Sequence, residues 1–497
     1  MERVVLRANR RIRVDAGRND GGNRIGRATR MLTALELARG QFAFTIGLHI
    51  VLAALSIGLA HYLMVLEVLW LRSRRQVYLD VYHYWLKPFA LTFAAGAVSG
   101  IVMEFQFGTN WAPFSARTGP VVGPMMMYEI VVAFFLESGF LGVMLFGMRK
   151  VGPRLHLAAT ALVATGSLLS AFWILSANSW MQTPAGYTIG ADGQLLPADW
   201  WAIVFNPSFG YRFAHMTLAA FLATGLLVGG VGGWHMIRDP ARHGAKTMVS
   251  MALWMVLFAA PLQLLVGDLH GENTLAYQPQ KLAAIEGSWA ARPPGSGEPM
   301  VLFGIPDMQA HRNRHEVAIP RVASLYLRHN LTGTIRGLDE FPAADLPPVP
   351  IVFLAFRVMV GLGLLMIAIG IAGLVVRLRA RLHAARWLHG AMVAMAPAGF
   401  VAMLAGWTVT EVGRQPWTVY GVLRTADSVT PQIATAGVAG SFGVAVVIYA
   451  AMFAAGLAAL VHLLAKPPRR GEQGPHPSLA RRIALPDDAG NTRGEDA

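Results

Sequence analysis

The sequence predicts an all-α integral membrane protein of about nine transmembrane helices, with one long loop between the sixth and the seventh. Three observations carry that expectation. Hydrophobic residues make up 54% of the 497 residues and charged ones only 14%, against about 25% charged in a soluble globular domain. Nine stretches are long and apolar enough to cross a hydrocarbon core, which takes about 20 residues of helix. Lys and Arg collect in alternate connections between those stretches, the pattern of connections that stay in the cytoplasm.

The stretches run over 42–70, 88–108, 125–148, 156–181, 213–237, 247–267, 350–376, 388–410 and 436–464. Arg72, Arg74, Arg75 and Lys87 follow the first, Arg149, Lys150 and Arg154 the third, and Arg238, Arg242 and Lys246 the fifth. Arg377, Arg379, Arg381 and Arg386 follow the seventh, and Lys466, Arg469 and Arg470 the ninth. The connections 109–124 and 182–212 hold one Arg each. This asymmetry puts the C-terminus in the cytoplasm, and an odd number of spans puts the N-terminus in the periplasm.

Residues 1–30 carry nine Arg and resist that topology. They read as a disordered extension or a mis-called start, with Met31 opening the natural chain. Spans one to six then occupy 31–266 and spans seven to nine 350–464. The 267–349 loop, rich in Pro, Gly and charge, falls on the periplasmic side, and 465–497 reads as a disordered cytoplasmic tail.

The formal charge of +14 reflects membrane orientation rather than a nucleic-acid partner. The absence of Cys excludes disulfides, iron–sulfur clusters, C-x-x-C-H heme attachment and thiolate-bound copper. No Gly-Lys dipeptide exists for a phosphate loop, and His315-Glu316 lacks the second His of a zinc-protease helix.

Ionisable side chains inside spans are costly and mark function. His49 lies about two turns into the first span, His215 near the start of the fifth, and Arg357 and Met359 about two turns into the seventh. Glu411 and Arg414 close the eighth. Traced through the topology, all share the outer depth of the membrane, as a layer of flat macrocycles held by opposing side chains requires. A His and Met pair closes a low-spin heme b, and His215 with Met359 is a candidate pair. One Met among 23 is more often a packing residue. Arg357 and Arg414 read either as partners of heme carboxylates or as snorkelling side chains. His61, His156 and His235 lie near helix ends or on faces without a partner.

Glu129 and Glu137 stand eight residues apart on the third span, a rise of about 12 Å with faces about 80° apart in a regular helix. They form a possible proton route, with Ser138 placed to hold a relay water. The alternative is a pair of carboxyls neutralised by burial.

Several words along the chain are specific to one family. They are MEFQFGTNW at 103–111, AFFLES at 133–138, WILSANSWMQ at 173–182, KLAAIE at 281–286, LFGIPD at 302–307, AFRVMV at 355–360 and GRQPW at 413–417. In these the chain resembles subunit I of the cytochrome bd quinol oxidases. The resemblance implies His215 and Met359 as axial ligands of a low-spin heme b. It implies His49 and Glu411 at two high-spin positions, one for a high-spin heme b and the other for heme d or a third heme b. Trp407 would lie among the hemes, and Arg357 and Arg414 fall on family positions. Glu129 would stand beside the high-spin hemes, and Glu137 with Ser138 on the proton route from the cytoplasm. Lys281 and Glu286 would serve quinol oxidation in the family's Q-loop, with Glu286 as proton acceptor and Lys281 orienting quinol or pairing with Glu286. The loop lacks the insertion of long-loop members and is similar to that of the cyanide-insensitive oxidases. The resemblance also implies a second membrane subunit, a small single-helix subunit, quinol and oxygen as substrates, and a bacterial inner membrane.

Three other classes are weighed against this reading. A secondary transporter would use midplane carboxylates without iron. A bis-His electron relay should carry paired His on two helices, and the sequence is expected to have none. A heme–copper oxidase needs a tight His cluster, and no copper is expected.

Overall fold

The structure is a computed structural model and describes residues 33–431 and 434–475. The extension 1–30 and most of the tail 465–497 lie outside the described residues. Among the described residues, nine helical spans are long and apolar enough to cross a membrane. The protein is a multi-pass membrane protein.

The first two spans are α1 (Ala34–Ser73) and α2 (Gln76–Thr109). The third joins α3 (Ala112–Tyr128), a π-helical segment Glu129–Phe134 and α4 (Phe135–Phe146). α5 (Pro153–Gln182) is the fourth. A hairpin of β1 (Tyr187–Ile189) and β2 (Leu195–Pro197), then α6 (Trp200–Val204), lead into α7 (Phe209–Arg238), and α8 (Ala245–Tyr277) follows. The segment 278–348 holds α9 (Pro279–Glu286), an antiparallel hairpin of β3 (Met300–Asp307) and β4 (Arg312–Ile319), and α10 (Val322–Arg328). α11 (Val349–Leu378) is the seventh span. The eighth is broken into α12 (Arg386–Met395) and α13 (Ala398–Val412), because Pro397 at the junction has no N–H to continue the ladder. β5 (Trp417–Val419) pairs with β6 (Leu423–Arg424), and α14 (Thr435–Ala465) is last.

The helices outrun the apolar stretches. α1 begins at a capping box, in which the Thr33 hydroxyl accepts from the Glu36 amide at 3.2 Å and Glu36 accepts from the Thr33 amide at 2.8 Å. α2 begins twelve residues before the stretch at 88, since its first turns are amphipathic and bury Asp80, Tyr82 and Trp85. Lys87 therefore lies within a helix rather than in a connection.

Without a hydrophobic drive between helices in lipid, close backbone approach does the packing. Along α7 the glycines supply it: a β-carbon on Gly230 would stand 2.6 Å from the Ala396 methyl, and one on Gly233 2.8 Å from the His389 carbonyl oxygen. The inner core gathers Leu59, Leu63, Trp85, Phe89, Met248 and Leu388 from α1, α2, α8 and α12. The 278–348 segment has a core of its own, in which Leu282, Ile285, Trp289, Ala323, Leu327 and Leu338 pack against Val349 and Val352 of α11. What the sequence shows as a polar loop is thus a small folded cap on α8 and α11.

Candidate functional site

The helices enclose a cavity of about 1280 Å³, larger than the roughly 300–1,000 Å³ of a pocket for one small ligand. His49, Glu129, Glu137, His215, Lys281, Glu286, Met359, Trp407, Glu411 and Arg414 all line it. Arg357 and Ser138 do not.

His49 on α1 has a fixed tautomer. The Ser99 hydroxyl donates to the Gly96 carbonyl at 2.8 Å, so its oxygen accepts from His49 Nδ1–H at 3.0 Å and leaves Nε2 with its lone pair free. Opposite His49 stands Gly100, whose β-carbon would come within 3.2 Å of the imidazole. His215 on α7 and Met359 on α11 repeat this arrangement. A β-carbon on Gly267 would reach within 3.2 Å of the His215 ring, and one on Gly406 within 2.8 Å of the Met359 sulfur. Each of the three soft or nitrogen donors thus faces bare backbone.

Glu411, at the end of α13, accepts from Asn178 Nδ2 at 2.9 Å and Gln182 Nε2 at 3.3 Å, and pairs with Arg414. Arg414 is buried, and its Nε and Nη1 have no partner among the described residues. Unpaired guanidinium donors in a buried site are costly and fit added carboxylates such as those a heme carries. His215 Nδ1, His270 Nε2 and Gln263 Oε1 are likewise buried without partners. A wide apolar cavity, lone-pair donors facing glycines and orphaned cationic N–H groups together fit iron porphyrins.

The third span corrects one geometric expectation. A π turn closes i→i+5 rather than i→i+4, so the eight residues from Glu129 to Glu137 make close to two turns instead of roughly 2.2. Both carboxylates therefore face the cavity rather than faces about 80° apart. Glu129 accepts from Ser170 at 2.6 Å, and Glu137 packs beside Gly166, where a β-carbon would be 3.0 Å from its own. Ser138 is half-buried.

Lys281 does not pair with Glu286. Its ammonium donates to Gln278 Oε1 at 2.6 Å and Gln182 Oε1 at 2.7 Å, so the Gln182 amide ties Lys281 to Glu411. Burial, reinforced by Arg212, pulls this ammonium well below the usual lysine range. Glu286 accepts from the Tyr326 hydroxyl at 2.8 Å through Oε2, while Oε1 is buried without a partner. Burial pushes its pKa up to about 6, against the opposing pull of Tyr326 and Arg357. Arg357 is directed at the carbonyls of Ile285 at 2.5 Å, Val301 at 2.7 Å and Phe353 at 3.1 Å. Its bonds hold the cap to α11.

The family model for cytochrome bd terminal oxidase subunit I matches residues 37–468. The chain belongs to this family. It is 33% identical over 453 residues to a cytochrome bd ubiquinol oxidase subunit 1 of Bacillus subtilis (strain 168), covering 89% of this chain and 95% of that one. A cytochrome bd-II ubiquinol oxidase subunit 1 of Escherichia coli (strain K12) is 28% identical over 507 residues, covering 89% and 97%. The solved bd oxidase of Geobacillus thermodenitrificans superposes with a TM-score of 0.81 at 26% identity, over 86% of this chain and 98% of that one. The fold is that of the family.

Sequence reasoning passed over several residues in and around the cavity: Asn178, Arg212 and His270 line it, and Gln182 stands behind it. Asn178 and Gln182 sit one turn apart in the WILSANSWMQ word, and polar i, i+4 spacing on an apolar helix was the signal. Arg212 is buried one turn before His215, its Nε donating to Ser208 at 3.2 Å. His270 corrects the statement that no paired histidines exist, since its ring centroid lies 6.0 Å from that of His215 on the neighbouring helix. His156, read as partnerless, bonds Glu67 at 2.7 Å in the inner core.

Proposed function

We propose that this chain is the heme-bearing catalytic subunit of a bacterial quinol oxidase, taking electrons from quinol at the periplasmic side and protons for oxygen from the cytoplasm. The observation that carries this reading is the continuity of one cavity from Lys281 and Glu286 past His215, Met359 and Glu411 to Glu129 and Glu137.

His215 and Met359 would hold a low-spin heme b, and His49 and Glu411 the two high-spin groups, heme b and either heme d or a third heme b. Bound there, the hemes supply the electron path from quinol and the iron at which oxygen is reduced. The chain's own residues handle charge and protons. Glu286 takes protons as quinol is oxidised and Lys281, through Gln182, orients that site. Arg414, Arg212 and Lys281 set cationic charge beside Glu411, which matches carboxylates brought by the porphyrins. Arg357 acts by fixing the cap over the site.

Four protons are needed per oxygen reduced to water. The π-segment turns Glu137 of α4 to the same face as Glu129, so protons from the cytoplasm step between them and through Ser170 toward His49, with Ser138 beside Glu137 at the entry. Because quinol protons leave on one side and oxygen protons arrive from the other, turnover builds a proton motive force without a pump. The apolar faces of α11 and α14, where Leu364, Leu365, Val447 and Leu457 are exposed, are the surfaces for lipid, a subunit II and a small single-helix subunit.

Purified complex should show reduced-minus-oxidised heme bands and consume oxygen with ubiquinol as donor. A spectrum without heme bands would return the chain to the transporter class, and heme bands without quinol-driven oxygen uptake would make it an electron relay.

A further inference from the structure

We propose that Tyr326 is a positioning residue for quinol oxidation, holding one carboxylate oxygen of Glu286 so that the other faces the quinol hydroxyl. The inference deepens the proposed function and rests on Glu286 being the proton acceptor.

The geometry divides the two oxygens of this carboxylate. Oε2 accepts from the Tyr326 hydroxyl at 2.8 Å, whereas Oε1 is buried, without a partner, in a residue that lines the cavity. A carboxylate free to rotate about its last bond would present either oxygen. One short hydrogen bond from a fixed donor removes that freedom. Tyr326 is fixed because α10 is anchored on both sides. Ser324, half a turn earlier, donates to the Gly333 carbonyl at 2.6 Å and accepts from the Glu298 amide at 2.5 Å, while Ala323 and Leu327 are buried in the cap core.

The groups facing Glu286 come from three elements. Tyr326 faces it from α10, Arg357 from α11, and Glu298 from the strand entry of the cap. Arg357 spends its N–H groups on backbone carbonyls, and Glu298 is occupied by Ser288 at 2.8 Å and by Arg292 at 3.5 Å. Tyr326 is the neighbour that donates to the carboxylate itself. Burial works against ionisation of Glu286, and the phenol works for it.

In the transfer, the O–H bond of a quinol hydroxyl breaks and an O–H bond forms at Oε1. Oε1 releases this proton to water on the periplasmic side before it takes the second, and the two losses, with two electrons passing to the oxidase's own acceptors, convert quinol to quinone. The phenol proton stays on Tyr326 throughout.

The test uses the whole purified complex and a short-chain ubiquinol, following the initial rate of quinol-driven reduction against pH. The acid limb of the wild-type profile should lie near the value of about 6 to which burial raises Glu286. Tyr326→Phe should retain the full reduced-minus-oxidised spectrum and move that limb up by about one pH unit, as expected when a carboxylate loses a charge-assisted hydrogen bond. A 3-fluorotyrosine placed at 326, a stronger donor of nearly the same shape, should move it down. Glu286→Gln should abolish the limb together with quinol oxidation. If Glu286→Gln keeps a wild-type profile, the assignment of Glu286 fails. If Glu286→Gln is inactive but the limb stays in place with phenylalanine or fluorotyrosine at 326, the role of Tyr326 fails alone.

Discussion

The sulfur of Met359 lies 2.8 Å from the point where a β-carbon on Gly406 would stand, so α13 passes this side chain with room for hydrogen only. Gly406→Ala must push Met359 aside. The sulfur is near the far end of a flexible side chain, so the shift costs little stability, but on the proposed ligand set the variant should lose low-spin heme signal, as should Met359→Leu, while keeping the high-spin signals. Optical spectra of the two variants side by side check this: a wild-type low-spin band in Met359→Leu would show that Met359 is no ligand, and one in Gly406→Ala alone that the side chain moves aside and keeps its place.

Glu137→Gln should retain all heme bands and slow oxygen reduction by roughly 10²-fold, the lower end of what a positioned proton-transfer group contributes. Quinol-driven reduction under anaerobic conditions should be unaffected for the first turnover, since the proposed acceptor for that half is Glu286. Full oxygen turnover in Glu137→Gln would remove it from the proton route.

Gln182→Leu should weaken both ends of the bridge it makes. Lys281 would keep Gln278 as its acceptor, and Glu411 would keep Asn178 and Arg414. Leaving a buried ammonium short of one acceptor costs about 1–3 kcal/mol. A lowered temperature of heme release in the purified complex, with a reduced rate of quinol oxidation, is the expected result.

The inner core has its own polar knot, in which fully buried Glu67 accepts from Thr160 and bonds His156, both at 2.7 Å. Glu67→Ala leaves His156 Nδ1 without its acceptor and Thr160 with only the His156 carbonyl at 3.2 Å, and a buried donor left unsatisfied costs about 1–3 kcal/mol. Thermal unfolding should shift downward strongly, while the fraction that assembles should turn over at the wild-type rate. A turnover defect exceeding the loss of assembled protein would give this knot a catalytic part.

How far the sequence could be read follows from what each feature depends on. Spans depend on composition, and the nine stretches appear as nine helices among the described residues. Their ends do not, because Asp80 and Lys87 on α2 are polar residues that a hydropathy scan discards. The common depth expected for His49, His215, Met359 and Glu411 comes from topology alone, and all four line one cavity. Partnerships between helices could not. Nothing in the word WILSANSWMQ states that Gln182 bridges Lys281 and Glu411, nor in KLAAIE that Glu286 meets a tyrosine forty residues later. His270 was invisible for the same reason, since its nearness to His215 is set by the packing of α8 on α7.

The wide-wound stretch Glu129–Phe134 has a consequence for variation in the gene. Removing one residue there would restore ordinary winding and leave Glu137 seven regular steps, about 700°, from Glu129, so both carboxyls would keep one face while the half-span below shortened by about 1.5 Å. Replacing a residue changes one side chain, and deleting one changes the winding without re-aiming the half-span below. Along these six positions, the chain should therefore absorb the loss of one residue that a regular stretch of the same span could not.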